Sequence, residues 1–356
     1  MKKILVVDDS ALMRRVLCDI IDNDERFHVE DRAVNGLEAL DLLSRKSYDA
    51  VVLDVNMPQM NGLELLRELQ KRKISVRVLM ASTDTKEGAK TTLDALELGA
   101  LDFVHKPNNA MDCRTDAFKN RLIRVLSAVA ESREPALGKS FSMGELKTAK
   151  KMVELVGRHA ADVTGNKIVA LASSTGGPRA LQSVVPRLPK NLKAPVVIVQ
   201  HMPAGFTASL AERLNSLSEI NVKEAAEGDV LEAGTVYIAK GGKHLNIQAE
   251  PGRYSIHYTD EPAREGVKPC ANYMYESLMD SRYDQVVCVV MTGMGADGTE
   301  GIVHLKEKKK IHVIAQEAST CAVYGMPRSI VNTGLANQTV PLDQIAQEII
   351  MNVGVK

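Results

Sequence analysis

The sequence predicts two α/β domains, each built around a mostly parallel β-sheet, with a linker between them. Its 356 residues are enough for two or three domains. In both halves of the chain, short apolar runs alternate with stretches of helical periodicity, which is the pattern of parallel strands joined by helices. Between the halves, residues 127–166 show no strand pattern. We therefore expect a first domain at residues 1–126 and a second, doubly wound domain at residues 167–356.

The composition argues against several classes of protein and kinds of site. The 45 Lys and Arg residues balance the 45 Asp and Glu residues, and no basic block stands out beyond the short run 308–310, so a nucleic-acid partner is not expected. Five widely spaced cysteines form no C-x-x-C pair, which argues against a zinc site and a disulfide framework. No signal peptide and no apolar run of membrane-spanning length is present. We expect a cytoplasmic protein with no direct membrane insertion.

Five apolar runs predict the strands of the first domain. A helical pattern follows Ser10 and another follows Gly36, as expected for strands that alternate with helices. Because crossovers between parallel strands are right-handed, the carboxyl ends of all five strands share one edge of the sheet. The predicted strands lie at residues 4–7, 27–34, 50–53, 76–80 and 101–105.

Polar side chains stand at these carboxyl ends. Three carboxylates that converge on one edge repel each other, which favours a hard cation such as Mg²⁺ among them. A hydroxyl and an ammonium group at neighbouring strand ends complete a possible phosphoryl-binding site. Ordinary strand-end polar residues are the alternative, but five matched positions favour a site. The residues are Asp8, Asp9, Asp54, Ser82 and Lys106.

Four motifs in this domain resemble those of two-component receiver domains, which have a five-stranded parallel (βα)5, flavodoxin-like fold. They are V-D-D-S at 7–10, L-D-V-N-M-P at 53–58, N-G at 61–62 and H-K-P at 105–107. The resemblance implies that Asp54 accepts a phosphoryl group from a chemotaxis histidine kinase. It also implies a Mg²⁺ ion held by Asp8, Asp9, Asp54 and the backbone carbonyl of Asn56.

The same resemblance assigns three residues around the phosphorylation site. Ser82 would be the switch hydroxyl that bonds the new phosphate, and Lys106 would be the cationic partner of that phosphate. Phe103 would be the switch aromatic side chain.

The linker prediction rests on small, charged and helix-breaking residues. Pro135, Gly138 and Gly144 interrupt any early helix, while residues 145–158 could form a solvated helix. The basic residues of this stretch are interpreted as a solvated face rather than a binding patch.

The second domain repeats the alternation of strands and helices. A helix is predicted at 207–217, and the run at 254–258 alternates like a strand of an antiparallel hairpin. The last strand is expected at 312–315. The other predicted strands begin at Lys167 or lie at 195–199, 235–239 and 286–290.

Three strand ends of this domain carry Ser174, His201 and Asp297. In a parallel sheet these residues share one edge, and together they supply a nucleophile, a base and an orienting carboxylate for acyl transfer. The pattern Ala172-x-Ser174-x-Gly176 is one residue away from the G-x-S-x-G nucleophile elbow.

Each residue of that trio also has an ordinary explanation when considered alone. Ser174 could lie in a plain or anion-binding turn, His201 could be a cap or core histidine, and Asp297 could be a loop residue. Spacing alone does not choose the base, because other histidines are available. They are His159, His244, His257, His304 and His312.

Several motifs in fixed order resemble the catalytic domain of the chemotaxis receptor methylesterases. The resemblance implies that Ser174 is the nucleophile, His201 the general base and acid, and Asp297 the orienting carboxylate. It places Thr175 beside the triad and makes the backbone N–H of Met294 an oxyanion donor. The motifs are S-T-G-G-P at 174–178, Q-H-M-P at 200–203, F-T-A-S-L-A-E-R-L at 206–214, V-Y-I-A at 236–239, T-G-M-G-A-D-G at 292–298 and Y-G-M-P-R at 324–328.

Three positions depart from the pattern of that family. Ala172 replaces a usual glycine, and its methyl group could crowd the turn. Lys240 stands where proline is usual, and Asn272 stands where aspartate is usual. None of them is a member of the predicted triad.

The resemblance implies a phosphorylation-activated serine esterase that works without a cofactor in the esterase reaction. Its substrates would be glutamate methyl esters on the cytoplasmic helices of methyl-accepting chemoreceptors, with methanol released and receptor glutamines deamidated, in sensory adaptation. Two other hypotheses remain open. One is a response regulator with a non-catalytic binding effector domain, and the other is a receiver fused to a hydrolase of small esters or amides.

Overall fold

The computed structural model describes residues 1–83, 86–107, 112–132 and 164–356. The chain divides into two compact units, Met1–Ser140 and Phe141–Lys356. The helix expected at 145–158 lies outside the described residues. Within the described ranges, no helix has both the length and the apolar character that crossing a bilayer requires.

The first unit is built on a five-stranded parallel sheet, as predicted. Its strand order is β2-β1-β3-β4-β5. The strands are β1 (Lys2–Val7), β2 (Phe27–Ala33), β3 (Ala50–Asp54), β4 (Val78–Thr83) and β5 (Asp102–Lys106). The helices are α1 (Ala11–Asp22), α2 (Gly36–Arg45), α3 (Gly62–Arg72), α4 (Lys86–Glu97) and α5 (Asp116–Glu131), and a short 3-10 turn lies at Asp112–Arg114.

Side-chain caps define where two of these helices begin. The Ser10 hydroxyl accepts a hydrogen bond from the N–H of Met13 at the start of α1. Asn61 and Glu64 form a capping box at the start of α3. Both caps directly follow strand-end loops, so they fix how those loops leave the sheet edge.

The predicted boundary of the first domain at residue 126 falls inside α5. This helix continues to Glu131, and Ala128, Val129 and Ala130 are buried. The sequence pattern predicted that these residues begin the linker. In the structure they are the last turn of a helix that packs against β3, β4 and β5.

The second unit contains a seven-stranded parallel sheet and a separate antiparallel hairpin. The sheet order is β14-β13-β12-β6-β7-β9-β8. Its strands are β6 (Lys167–Ser173), β7 (Val196–Gln200), β8 (Asn221–Glu224), β9 (Thr235–Ile238), β12 (Gln285–Val290), β13 (Ile311–Gln316) and β14 (Gln338–Val340). The hairpin pairs β10 (His244–Glu250) with β11 (Arg253–Thr259), as the alternation at 254–258 predicted.

In the part of this unit that the structure describes, six helices accompany the sheet. They are α6 (Gly177–Val184), α7 (Phe206–Leu217), α8 (Ala271–Ser277), α9 (Thr299–Lys308), α10 (Met326–Asn332) and α11 (Ile345–Val353), with 3-10 turns at Val185–Arg187, Ala318–Thr320 and Leu342–Gln344. The prediction that β13 is the last strand was wrong, because β14 pairs with its far end. Three residues are too few to produce an apolar run.

The register of the central strands brings three strand ends together. Ser173 at the end of β6 lies opposite Gln200 at the end of β7, and Ala172 lies opposite Val290 at the end of β12. Beneath this edge, Tyr275 is fully buried, and its hydroxyl donates to the carbonyls of β6 and β12. The residues that follow β6, β7 and β12 therefore lie side by side.

Candidate functional sites

An acidic site occupies the carboxyl edge of the sheet in the first unit. Carboxylate oxygens of Asp8, Asp9 and Asp54 lie within 4.8 Å of one another. The Nζ atom of Lys106, at the end of β5, is 2.8 Å from Asp8 Oδ2 and 2.7 Å from Asp54 Oδ1. The sheet thus joins four of the residues that the sequence placed at strand ends.

The electrostatics of this site favour additional positive charge. Burial raises the pKa of Asp54 more than the adjacent Lys106 lowers it. Burial also acts to lower the pKa of Lys106, but the carboxylates of Asp54 and Asp8 outweigh it, and that pKa is raised. Three converging carboxylates are oxygen donors that suit Mg²⁺. Asn56, whose carbonyl was expected to join them, lies on the exposed loop after β3.

Two further predicted residues lie on β4 and β5. Ser82 is buried near the end of β4, and its neighbour Thr83 lies opposite Lys106. Phe103 lies opposite Met80, whereas Ser82 lies opposite His105, so Phe103 is further from the carboxyl edge. Its ring is buried. Ser82 is therefore at the edge of the sheet that carries the acidic site, whereas Phe103 lies further back along β5.

The predicted serine, histidine and aspartate converge at the edge of the second sheet. The Nε2 atom of His201 is 2.7 Å from Asp297 Oδ2. The N–H of His201 donates to the Ser173 carbonyl, and the N–H of Ser174 donates to the Thr292 carbonyl. Ser174 therefore stands between the loop that carries His201 and the loop that leads to Asp297.

Four donors surround the Asp297 carboxylate. Its Oδ2 accepts from His201 and from the N–H of Ala271 at 2.6 Å. Its Oδ1 accepts from the thiol of Cys270 and the N–H of Asn272, both at 3.0 Å. Burial alone would raise the pKa of Asp297, but the bonds from His201, Cys270 and Ala271 outweigh it and lower that pKa. The carboxylate is thus kept ionised next to the imidazole.

The turn that carries Ser174 is tightly packed against the loop after β12. A Cβ atom placed on Gly293 would lie 2.8 Å from Ser174 Cβ and 2.4 Å from the sulfur of Met326. Gly176 has a φ of 77°, in the left-handed region, and α6 begins at the next residue with Pro178 in its first turn. This arrangement is the predicted strand, turn and helix start.

Met294 and Thr175, to which the resemblance assigned further roles, directly follow Gly293 and Ser174 in the chain. Met294 directly follows Gly293, so its backbone N–H lies on the loop that contacts Ser174. Thr175 is buried, and its carbonyl accepts from the Thr292 hydroxyl at 2.9 Å. That contact holds the Ser174 turn against the loop after β12.

The structure separates His201 from the other histidines that it describes. His244 bonds to backbone carbonyls after β11, while His257, His304 and His312 pair with side chains of other elements. His159 lies outside the described residues. His201 is the one among the five described candidates that contacts Asp297.

Sequence reasoning missed the residues that hold this trio in place. Cys270 and Asn272 come from a loop and helix far away in sequence, and no local pattern links them to Asp297. Gln200, which directly precedes His201 in the Q-H-M-P motif, bonds to the backbone carbonyls of Ser174 and His201. Its position before the histidine was the available signal.

The three departures from the family pattern do not disturb the trio. The methyl group of Ala172 is buried in the core, 3.7 Å from the Cβ position of Gly298, which is ordinary contact. Lys240 is exposed after β9. Asn272 is fully buried, and its side-chain oxygen Oδ1 accepts from the N–H groups of Gly298 and Gly301.

Comparisons with known proteins agree with this geometry. Residues 169–349 match the CheB methylesterase family, and residues 4–117 match the response regulator receiver domain. A Geobacillus kaustophilus protein named protein-glutamate methylesterase/protein-glutamine glutaminase is 42% identical over 355 residues, covering 99% of both chains. The Bacillus subtilis protein of the same name is 39% identical over 351 residues, covering 98% of both chains.

A solved structure supports the fold of the second unit. The crystal structure of the Thermotoga maritima CheB methylesterase catalytic domain is 41% identical, with a TM-score of 0.51, and covers 53% of this chain and 98% of that chain. The family matches together span both units. The chain therefore belongs to the CheB methylesterase family and carries a response regulator receiver domain at its N-terminus.

Proposed function

We propose that this protein removes methyl esters from chemoreceptor glutamates by a serine mechanism, and that phosphorylation of Asp54 raises its rate. The contact between His201 and Asp297, next to the Ser174 turn, carries the proposal. Relatives of nearly full length are named as methylesterases and glutaminases, which supports both the substrate class and a second activity on glutamine.

The first half of the reaction forms an acyl-enzyme. Because the Asp297 carboxylate accepts from Nε2 of His201, the neutral ring keeps its proton there and offers Nδ1 as the base. Nδ1 takes the proton of Ser174 while the serine oxygen bonds to the ester carbonyl carbon. The N–H of Met294 stabilises the oxyanion. His201 returns the proton to the methoxy oxygen, the carbon–oxygen bond breaks, and methanol leaves.

The second half restores the enzyme. Water attacks the glutamyl carbonyl, gives its proton to His201, and the proton then passes to the Ser174 oxygen as the acyl bond breaks. The receptor keeps a free glutamate side chain. With a glutamine substrate, the same steps release ammonia instead of methanol.

In the receiver domain, the Asp54 carboxylate would attack the phosphorus of a phosphohistidine on a partner kinase. The bond to the histidine nitrogen breaks and an acyl phosphate forms on Asp54. Asp8, Asp9, Asp54 and the carbonyl of Asn56 would hold Mg²⁺, which when bound neutralises phosphate charge. Lys106 and Ser82 would bind the phosphate oxygens. Both proposed activities would require a location in the cytoplasm, where the receptor helices and the kinase would be.

Release of labelled methanol from methylated receptor tests this proposal. Wild type, Ser174→Ala and Asp54→Asn are compared with and without a small phosphodonor and Mg²⁺. We expect release that requires Ser174 and that the phosphodonor increases only when Asp54 is present. If methanol release requires Ser174 but proceeds at the same rate with and without the phosphodonor, control by Asp54 is contradicted. Folded protein without any release would favour a binding function, and equal turnover of free small esters would contradict the receptor as substrate.

A further inference from the structure

Gln200 connects the backbone of the nucleophile to the backbone of the base. Its side chain is 1% exposed. Its Nε2 donates to the carbonyl of Ser174 at 3.0 Å and to the carbonyl of His201 at 3.3 Å. Its Oε1 accepts from the Ser173 hydroxyl at 2.7 Å. One amide thus bonds to three residues of the site, at the carboxyl ends of two neighbouring strands.

Only one orientation of this amide satisfies its neighbours. The two carbonyls can only accept, so they need the NH₂ group, and the hydroxyl can donate to the oxygen. Reversing the amide would place its oxygen against two carbonyl oxygens in a buried setting, which is costly. A glutamate at this position would have the same fault when ionised.

The surrounding turn is shaped to fit this side chain. A Cβ atom on Gly177 would lie 2.0 Å from Gln200 Oε1, so α6 begins directly on the amide. The N–H of Gly177 also donates to the Ser174 carbonyl at 2.7 Å. That carbonyl therefore keeps one partner if Gln200 is changed. The link to His201 is what a change would remove.

We infer that Gln200 is a positioning residue that sets the geometry between Ser174 and His201. This inference rests on the proposed serine mechanism. The two side chains come from different strands, and proton transfer between them requires a hydrogen-bonded approach. Gln200 restrains both backbones at once through its NH₂ group, whereas the strand ladder bonds Ser173 and not Ser174 to His201.

Gln200→Met is the main test, because methionine has a similar length and forms no strong hydrogen bond. We expect kcat for methanol release to fall by about 10- to 100-fold, as misplacement of a catalytic group costs. KM should stay within about twofold. Labelling of Ser174 by a fluorophosphonate should slow by the same factor as kcat, because it needs the same activated serine.

Val313→Ala serves as the control for lost stability. Val313 is fully buried in β13, and its truncation leaves a cavity without touching the trio. Its kcat should stay within about twofold of wild type at a similar fall in melting temperature. Equal losses of kcat in Gln200→Met and Val313→Ala at equal melting temperature would overturn the inference.

Ser173→Ala is the second variant, in case Gln200→Met does not fold. It removes the hydroxyl that donates to Gln200 Oε1, while the hydrogen bonds from Gln200 Nε2 to the Ser174 and His201 carbonyls stay in place. An intermediate fall of about three- to tenfold in kcat is therefore expected. In that case, wild-type kcat in Ser173→Ala would overturn the inference. Ser174→Ala is measured alongside. If wild-type release does not require Ser174, the serine mechanism itself fails, and this outcome is distinct from a failure of Gln200 alone.

Discussion

The Asp297 carboxylate is held by residues that take no part in the proposed reaction, and Cys270 is one of them. The Cys270 thiol is fully buried and donates to Oδ1, which faces away from His201. Burial, followed by the charge of Asp297, raises the pKa of this thiol far above its usual range, so it stays protonated and remains a donor. It is one of the contacts that lower the pKa of Asp297.

Removing that donor should destabilise the protein while the carboxylate is ionised. A lowered carboxyl pKa contributes stability above the unfolded value, about 3.9, and loses it as pH falls through the folded value. We therefore expect Cys270→Ala to lower the free energy of unfolding at pH 7 by about 1–2 kcal/mol. Urea unfolding measures this. Cys270→Ser, which keeps a donor, should lose much less, and equal losses in the two variants would contradict the role of the bond.

Asn272 has a role that an aspartate could only partly fill. Its Oδ1 accepts from Gly298 and Gly301 at the start of α9, and its Nδ2 donates to Glu265 Oε1 at 2.8 Å. The sequence marked Asn272 as a departure but could not predict this role. Its three partners are brought together only by the tertiary fold.

Asn272→Asp should keep the cap and bring two carboxylates into contact. We expect the free energy of unfolding to fall by about 1–3 kcal/mol, because the new aspartate side chain would face the Glu265 carboxylate and neither of them could donate a hydrogen bond. Glu265→Gln should restore most of it, because the new amide can donate to the aspartate. Urea unfolding of wild type, both single variants and the double variant gives the coupling energy. Strictly additive losses would show that the two side chains do not interact.

At the scale of elements, the strands that the sequence predicted are the ones with apolar runs. The completely buried strands β3, β7 and β12 are examples. Within the second sheet, the strands it missed are β8 and β14, which lie at opposite edges and contain mostly polar residues. Edge strands bury less side-chain surface, so their sequences carry a weaker apolar signal.

The loops after β6 and β12 are in close contact, and this contact leaves no room at Gly293. Gly293 has no space for a side chain, because its Cβ would lie 2.8 Å from Ser174 Cβ. The family resemblance gave this turn only one role, a backbone donor for the oxyanion from the N–H of Met294. The structure shows a reason for Gly293 itself, which is the close approach of the Ser174 and Met326 side chains.

Gly293→Ala should therefore impair catalysis by shifting the Ser174 turn. We expect kcat for methanol release to fall by more than about tenfold, since small misplacements of a nucleophile are costly. The Met326 sulfur, the other close neighbour, belongs to a flexible, unbranched side chain that can adjust. Adding Met326→Ala should thus leave activity low. Recovery of wild-type kcat in the double variant would mean that Met326, and not Ser174, was the obstacle.

At the scale of the whole molecule, both sites follow from one rule of parallel sheets. Strand ends far apart in sequence share an edge, so Asp8, Asp54 and Lys106 meet in one unit, and Ser174, His201 and Asp297 approach one another in the other. This rule made both sites predictable. It says nothing about buried groups away from the sheet edge, and His244 is such a group.

His244 is held neutral inside the second unit. It is fully buried on β10, its Nε2 contacts the carbonyls of Glu261 and Pro262 at 3.1 and 3.2 Å, and its ring packs on Tyr273. Among the described residues, its Nδ1 has no hydrogen-bond partner. Burial lowers the pKa of His244, and the nearby Lys268 acts in the same direction, while the two carbonyls and the Glu261 charge oppose it.

This lowered pKa should make the fold sensitive to mild acid. Below the ordinary value of about 6.5, the unfolded chain binds a proton that the folded chain rejects, so stability falls as pH falls, by up to about 1.4 kcal/mol per pH unit. His244→Gln keeps a donor for the carbonyls and cannot titrate. We expect its free energy of unfolding to decline less than that of wild type between pH 7.5 and 5.5 in urea titrations. The remaining histidines are common to both proteins and cancel in the difference, so parallel pH profiles would contradict a neutral, buried His244.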